Sequence, residues 1–184
     1  MTVNSAYQPI RAALSLLCML ASCLCQGHAH ADPLLRATQA IKVHDGDTVT
    51  LMINGKMLKT RLIGIDAPEM GQRPWGKLAK ERLIDILNHT DWTVFMETDV
   101  VTRDKYDRPL VYLWTKHKEL INELMVLDGQ ALLFTIRPNV KYAPRFRQAA
   151  RQARQEKKGL WGPKGLRENP ARYREKHPRK RQGL

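Results

Sequence analysis

The chain is predicted to be α+β and mainly β: a five-stranded closed barrel carrying about three helices. Three observations predict it. Thr48 to Ile53 alternates, with Val49, Leu51 and Ile53 on one face, and runs into Asn54-Gly55, a strong type I′ hairpin signal. Leu58 to Ile65 returns as the partner strand. Further extended stretches at Ala37 to Val43, Asp91 to Val101 and Leu110 to Thr115 bring the strands to five, with helical patterns after the third and behind the last.

Taken in order, the first strand ends at the turn His44-Asp45-Gly46, and the hairpin then sets Asp45 and Asp47 at one end. Asp66 emerges at that same end on the returning strand. Pro68 has no N–H to donate and stops the ladder. Glu69 to Arg73 reads as a loop, and Trp75 to Leu87 as a helix with Leu78, Leu83, Ile84 and Leu87 near one face. Thr102 to Arg108 is a polar turn. Leu120 to Leu127 is a helix stopped by Gly129, and Ala131 to Phe134 is briefly extended. Arg145 to Lys158 is a basic helix closed by Gly159, with Leu160 and Trp161 packing back on the body. This content suits a small antiparallel barrel of the oligonucleotide-binding (OB) type, which pairs its edges while leaving one face and its loops for a ligand.

The chain ends read differently from its middle. Residues 1–31 hold Arg11, an apolar stretch from Ala12 to Leu24, and the small residues Ala29-His30-Ala31, the pattern of a signal peptide cut before Asp32. Leu20-Ala21-Ser22-Cys23 is also lipobox-like, which leaves a lipid anchor at Cys23 as the alternative. Either cut implies export: secreted or periplasmic in one case, lipid-anchored in the other, without a membrane span. All three cysteines lie in this segment, so a chain cut before Asp32 has no disulfide framework, zinc cluster or cysteine nucleophile. Residues 32–163 form the expected barrel domain. Residues 164–184 carry eight basic side chains, two acidic ones and two prolines, and read as a disordered basic tail. The whole chain has 31 Lys and Arg against 18 Asp and Glu, a net charge of +13, which favours a polyanionic partner.

The acids and arginines suggest chemistry only in combination. Asp45-Gly46-Asp47-Thr48 by itself is ordinary turn composition, and Asp66-Ala67-Pro68-Glu69 is a modest signal. Brought to one barrel end, these carboxylates repel one another unless a hard cation holds them. Without cysteine or a histidine pair nearby, oxygen ligation by calcium is the natural candidate, with magnesium or manganese as alternatives. Arg61 lies on the strand that delivers Asp66, and Arg108 closes the turn Asp104-Lys105-Tyr106-Asp107. Two guanidinium groups can grip a phosphate and stabilise charge that develops on phosphorus.

The runs His44-Asp45-Gly46-Asp47-Thr48-Val49, Arg61 to Glu69 (RLIGIDAPE), Lys105 to Tyr112 (KYDRPLVY) and Lys157 to Gly162 (KKGLWG) resemble the staphylococcal-nuclease-like (thermonuclease) family in order and spacing. The resemblance covers roughly residues 37–162. It implies a five-stranded barrel with three helices and a calcium-dependent endonuclease acting on DNA and RNA, leaving 3′-phosphate products. By position, it implies Ca2+ held by the carboxylates of Asp47 and Asp66 and the backbone carbonyl of Ala67. Glu69 would then orient or deprotonate the attacking water. Arg61 and Arg108 would bind the scissile phosphate, Arg108 nearer the leaving 5′ oxygen, and Lys105 and Tyr106 would contact a flanking phosphate. A monomer is expected.

One departure stands out. Where the best-known family members carry tyrosines before the segment matching Arg137-Pro138-Asn139, this chain has Phe134 and Ile136. Phe134 can stack but not hydrogen-bond, Ile136 has no ring, and Tyr142 is the candidate to compensate. His44 reads as a turn residue, and Trp75, Trp92, Trp114 and Trp161 as packing residues. The competing class is a non-catalytic nucleic-acid-binding OB module, against which the retention of all three acids and both arginines weighs.

Overall fold

The computed structural model describes residues 35–178. The leader 1–31 with Cys23, and residues 179–184, lie outside the described residues. Five strands close a barrel in the order β1-β2-β3-β6-β5: β1 is Arg36–Asp45, β2 Thr48–Ile53, β3 Lys56–Leu62, β5 Thr93–Glu97 and β6 Leu110–Trp114. The α+β, mainly β expectation is borne out. Asn54 and Gly55 both take positive φ, at 50° and 73°, as the β2–β3 turn requires. β1 serves two neighbours, pairing Arg36 to Gln39 with β5 and Ala40 to Asp45 with β2. Register shifts at Ala40/Lys42 and Val43/Asp45 accommodate the bend between these duties.

The expectation of a wholly antiparallel barrel needs correction. β3 and β6 run parallel, with Arg61 opposite Leu110 and Leu62 opposite Val111. The reason is parity: strands that alternate direction around a closed ring of five must leave one pair pointing the same way. This seam is two residue pairs long. It is reinforced by backbone bonds from Arg61 N to the Pro109 carbonyl and from Ile63 N to the Val111 carbonyl, each 2.9 Å. Asn122 completes it from α2 (Ile121–Leu127). Fully buried, its amide donates to the carbonyl of Ile63 (2.9 Å) and accepts from the N–H of Leu113 (3.0 Å).

The returning strand also departs from expectation. β3 stops at Leu62, Gly64 takes φ +82°, and Ile65–Asp66 becomes a separate short strand, β4. β4 pairs with β7 (Leu132–Leu133), not with the hairpin. The positive φ, available to glycine without a Cβ clash, turns the chain out of the barrel wall just before the acid.

Three further helices surround the barrel among the described residues. α1 (Trp75–Asn88) buries Gly76, Ala79, Leu83, Ile86 and Leu87, whereas Leu78, expected on the inner face, is exposed. Small residues set this face because contact is close: a Cβ on Gly76 would lie 2.2 Å from the Glu69 carbonyl oxygen. α3 (Ala143–Gln155) ends before the expected closure at Gly159, which instead opens a 3₁₀ turn whose Leu160 N–H donates to the Gly129 carbonyl at 2.8 Å. Inside the expected disordered tail, Pro170–Lys176 forms α4, with Asn169 Oδ1 capping the Arg172 N–H at 2.8 Å and Pro170 buried. The barrel core gathers Val49, Leu51, Leu62, Val94, Val111 and Leu113, and α1 and α2 close it with Leu83, Leu87 and Met125. None of the helices among the described residues is long and apolar enough to cross a membrane.

Candidate active site

Asp47 follows β1 in the tight turn to β2 and is buried. Its Oδ2 accepts from the Ala67 N–H at 2.6 Å, and its Oδ1 accepts from the Thr48 hydroxyl at 3.0 Å. The Asp47 carboxylate therefore ties the β1–β2 turn to the segment leaving β4. Asp66, also buried, is the last residue of β4. Arg61, pointing from β3, ion-pairs with both acids and holds Asp66 Oδ1 at 3.1 Å. The same guanidinium donates to the Ile65 carbonyl at 3.0 Å. Three residues expected to converge thus do so, although the route to Asp66 runs through the Gly64 turn.

Glu69 sits in the loop before α1, half-buried. The side chain of Gln72 accepts from the Glu69 N–H at 2.9 Å, and the Gln72 N–H donates to the Glu69 carbonyl at 2.8 Å. Buried Gln72 is a loop-fixing residue that the sequence reading passed over. Its Nε2 also donates to the Glu168 carbonyl at 2.8 Å, fastening this loop to the chain just before α4.

Arg174 of α4 is the largest surprise. Its guanidinium spans Asp66, with contacts of 3.1 Å to Oδ1 and 3.0 Å to Oδ2, and reaches Glu69 Oε1 at 3.0 Å. The hydrogen bonds that Arg174 donates to Asp66 head the causes that raise its pKa. The Asn169-Pro170 pair, a helix-start signal, could have pointed to α4 in the sequence.

Arg108 lies across the parallel seam from Arg61 and is steadied within its own turn. Its Nε donates to Asp104 Oδ2 at 2.7 Å, and its N–H to Asp104 Oδ1 at 3.0 Å. Burial works to raise the Asp104 carboxyl, yet these bonds and one from the Tyr106 N–H outweigh it, so its pKa is lowered. Tyr106 is 70% exposed at the turn tip, with the Lys105 Nζ 5.2 Å and the Arg108 guanidinium 5.5 Å from its ring centre.

Phe134 and Ile136 are both exposed, while Tyr142, the candidate to compensate for them, is half-buried and packed on the barrel. Its hydroxyl donates to buried Glu97 at 2.9 Å, and its ring packs edge-on against Tyr112 (4.7 Å) and Trp114 (5.3 Å). His44, read as a turn residue, lies instead in β1 with its Nε2 2.8 Å from the Thr50 hydroxyl.

Burial pushes the Asp47 carboxyl up, and Asp45 and Asp66 add to the rise, against the opposing pull of Arg61 and the Ala67 N–H. Among the described residues no three Asp, Glu, His or Cys side chains gather closely enough to hold a metal by themselves. The donor set nevertheless fits a hard cation: two buried carboxylates, with the carbonyl of Ala67 between Asp66 and Pro68, are oxygen donors of the kind calcium takes.

The fold and site define a closed five-stranded barrel of the OB type, with acids and a guanidinium gathered at one end. The sequence profile of the staphylococcal nuclease homologues matches residues 59–163, and the chain belongs to that family. A thermonuclease of Staphylococcus hyicus is 38% identical over 128 residues, covering 67% of this chain and 74% of the relative. A thermonuclease of Staphylococcus intermedius is 33% identical over 125 residues, covering 65% and 73%. The endonuclease YncB of Bacillus subtilis (strain 168) is 30% identical over 128 residues, covering 66% and 59%. These relatives support a nuclease function for this chain.

Proposed function

We propose that the protein is an exported, calcium-dependent endonuclease that hydrolyses DNA and RNA to 3′-phosphate products. The observation that carries the reading is the convergence of buried Asp47 and Asp66 around Arg61 at one barrel end. In this reading Asp47, Asp66 and the Ala67 carbonyl hold Ca2+. Calcium, when bound, supplies polarisation of the phosphate and a lowered pKa for water. Glu69 takes the proton from the attacking water, its backbone fixed at both ends by Gln72. Arg61 and Arg108 bind the scissile phosphate and stabilise the charge that grows on its oxygens, with Arg108 toward the leaving 5′ oxygen. Lys105 and Tyr106, exposed on one turn, take a flanking phosphate. Residues 1–31 direct export, or the leader is cut at a lipidated Cys23, and the excess of basic over acidic side chains in the remaining chain draws the polyanion in.

The test is incubation of the chain from Asp32 onward with DNA and with RNA, in calcium and in chelator. Cleavage in calcium that chelator abolishes is expected. Binding without cleavage under any divalent ion would leave a binding module and refute the enzyme. Glu69→Gln should bind nucleic acid like the parent while losing about 10²–10⁴-fold in turnover, the usual worth of a positioned base. Unchanged turnover would move the base elsewhere.

A further inference from the structure

The C-terminal helix lies beyond the residues matched by the family profile, which end at 163, yet it makes contacts at the centre of the site. Its docking is built from several contacts. Gln72 holds the Glu168 carbonyl and the Glu69 N–H with one amide. Gly71 leaves room for Tyr173, whose hydroxyl would sit 2.2 Å from a Cβ there. The Tyr173 ring in turn stacks on His177, with ring centres 4.1 Å apart. A seven-residue helix has little stability of its own, so tertiary contacts of this kind hold it. They deliver Arg174 onto both oxygens of Asp66 and onto Glu69.

From this contact we infer that α4 is an autoinhibitory strap, in which Arg174 competes with the divalent cation for Asp66 and holds Glu69 away from water. The inference rests on the metal reading of Asp66 and Glu69 given above. A guanidinium that spans both Asp66 oxygens cannot share them freely with a cation, so metal loading requires Arg174 to leave. The strap is poised for that. The Arg174 side chain is 39% exposed, so the ion pair is open to screening. The helix around it is basic (Arg172, Arg174 and Lys176), so an arriving polyanion attracts the same residues that must lift away. Substrate and metal then favour one released state, and each strengthens the other's binding. The alternative role, a third phosphate-binding arginine, is separated from the strap by the experiment below.

The experiment uses the chain from Asp32 to Leu184 and calcium chloride as the probe, with binding followed by calorimetry in the absence of nucleic acid. Arg174→Ala should bind calcium roughly three- to tenfold more tightly, the size expected when a part-exposed ion-pair competitor is removed. Tyr173→Ala, which keeps Arg174 but loosens the helix, should shift affinity in the same direction. In the parent chain, calcium should also speed hydrogen exchange in residues 168–177. Equal calcium affinity in parent and variants would overturn the strap while leaving the metal reading intact. Weaker affinity, or equal affinity with slower cleavage in Arg174→Ala, would assign Arg174 to substrate binding instead. No calcium binding by any of the three chains would refute the metal reading and the strap together.

Discussion

Replacing Gly46 with alanine tests how the barrel holds Asp47. A Cβ at Gly46 would lie 2.6 Å from the Cβ of Ala79 on α1 and 2.7 Å from the Cβ of Ala67. Neither neighbour can rotate aside, since each is a methyl fixed to its own backbone. Ordinary contact begins at 3.4 Å, so the turn must move by about 0.8 Å relative to α1. Overpacking of this kind costs ~1–3 kcal/mol, or roughly 3–10 °C in melting temperature for a domain of this size. The effect on chemistry should be larger in proportion, because the displaced turn carries Asp47 and a misplacement near 1 Å can cost ~10²-fold in rate. Urea unfolding and single-turnover cleavage at saturating calcium would measure the two effects separately. Adding Ala79→Gly removes one of the two clashes and should restore part of the stability, but the contact with Ala67 persists. A Gly46→Ala chain with the parent's midpoint and rate would refute the claim that this packing positions the acid.

Two other perturbations follow from the site. Arg108→Lys should lower kcat/KM roughly tenfold or more, because a point charge cannot reproduce the planar fork; a parental value would remove Arg108 from the phosphate. In the metal-free chain, burial raises the Asp47 carboxyl above its ordinary 3.8, so the folded state keeps a proton that the unfolded state releases. That stabilising contribution is complete below pH 3.8 and is lost as pH rises through the raised value, so the melting temperature should fall across this window. Asp47→Asn should show a flatter profile, and parallel profiles for the two chains would refute the assignment.

What could be read in advance was what is encoded locally. The β2–β3 hairpin was legible because Asn54 and Gly55 state their turn type, and that turn sets Arg61 opposite Thr48, beside Asp47. The meeting of Asp47 and Arg61 followed from the same geometry, whereas Asp66 joins them by another route. The exit at Gly64 was not legible, since the pairing of Ile65–Asp66 with Leu132–Leu133 depends on a segment far along the chain. The packing of Tyr142 was not legible for a similar reason: its partners Glu97, Tyr112 and Trp114 come from β5 and β6. The inner face of α1 was misread at Leu78 because close approach to Gly46 and to the Glu69 loop favours small residues over bulky ones. α4 was hidden by composition, as its basic, proline-containing sequence lacks an apolar stripe and its order comes from the loop it covers.

The parallel seam between β3 and β6 gives the barrel a weak side. The β2–β3 pairing runs for six residue pairs, whereas the seam has two and relies on one side-chain amide from α2. If the barrel breathes, it should part there first, like a cuff undone at its button. Arg61 and the chain leading from Arg108 lie on opposite lips of that opening. If Arg61 and Arg108 hold a phosphate as proposed, parting at this seam would loosen that grip while most of the secondary structure persists, and heat inactivation would precede unfolding.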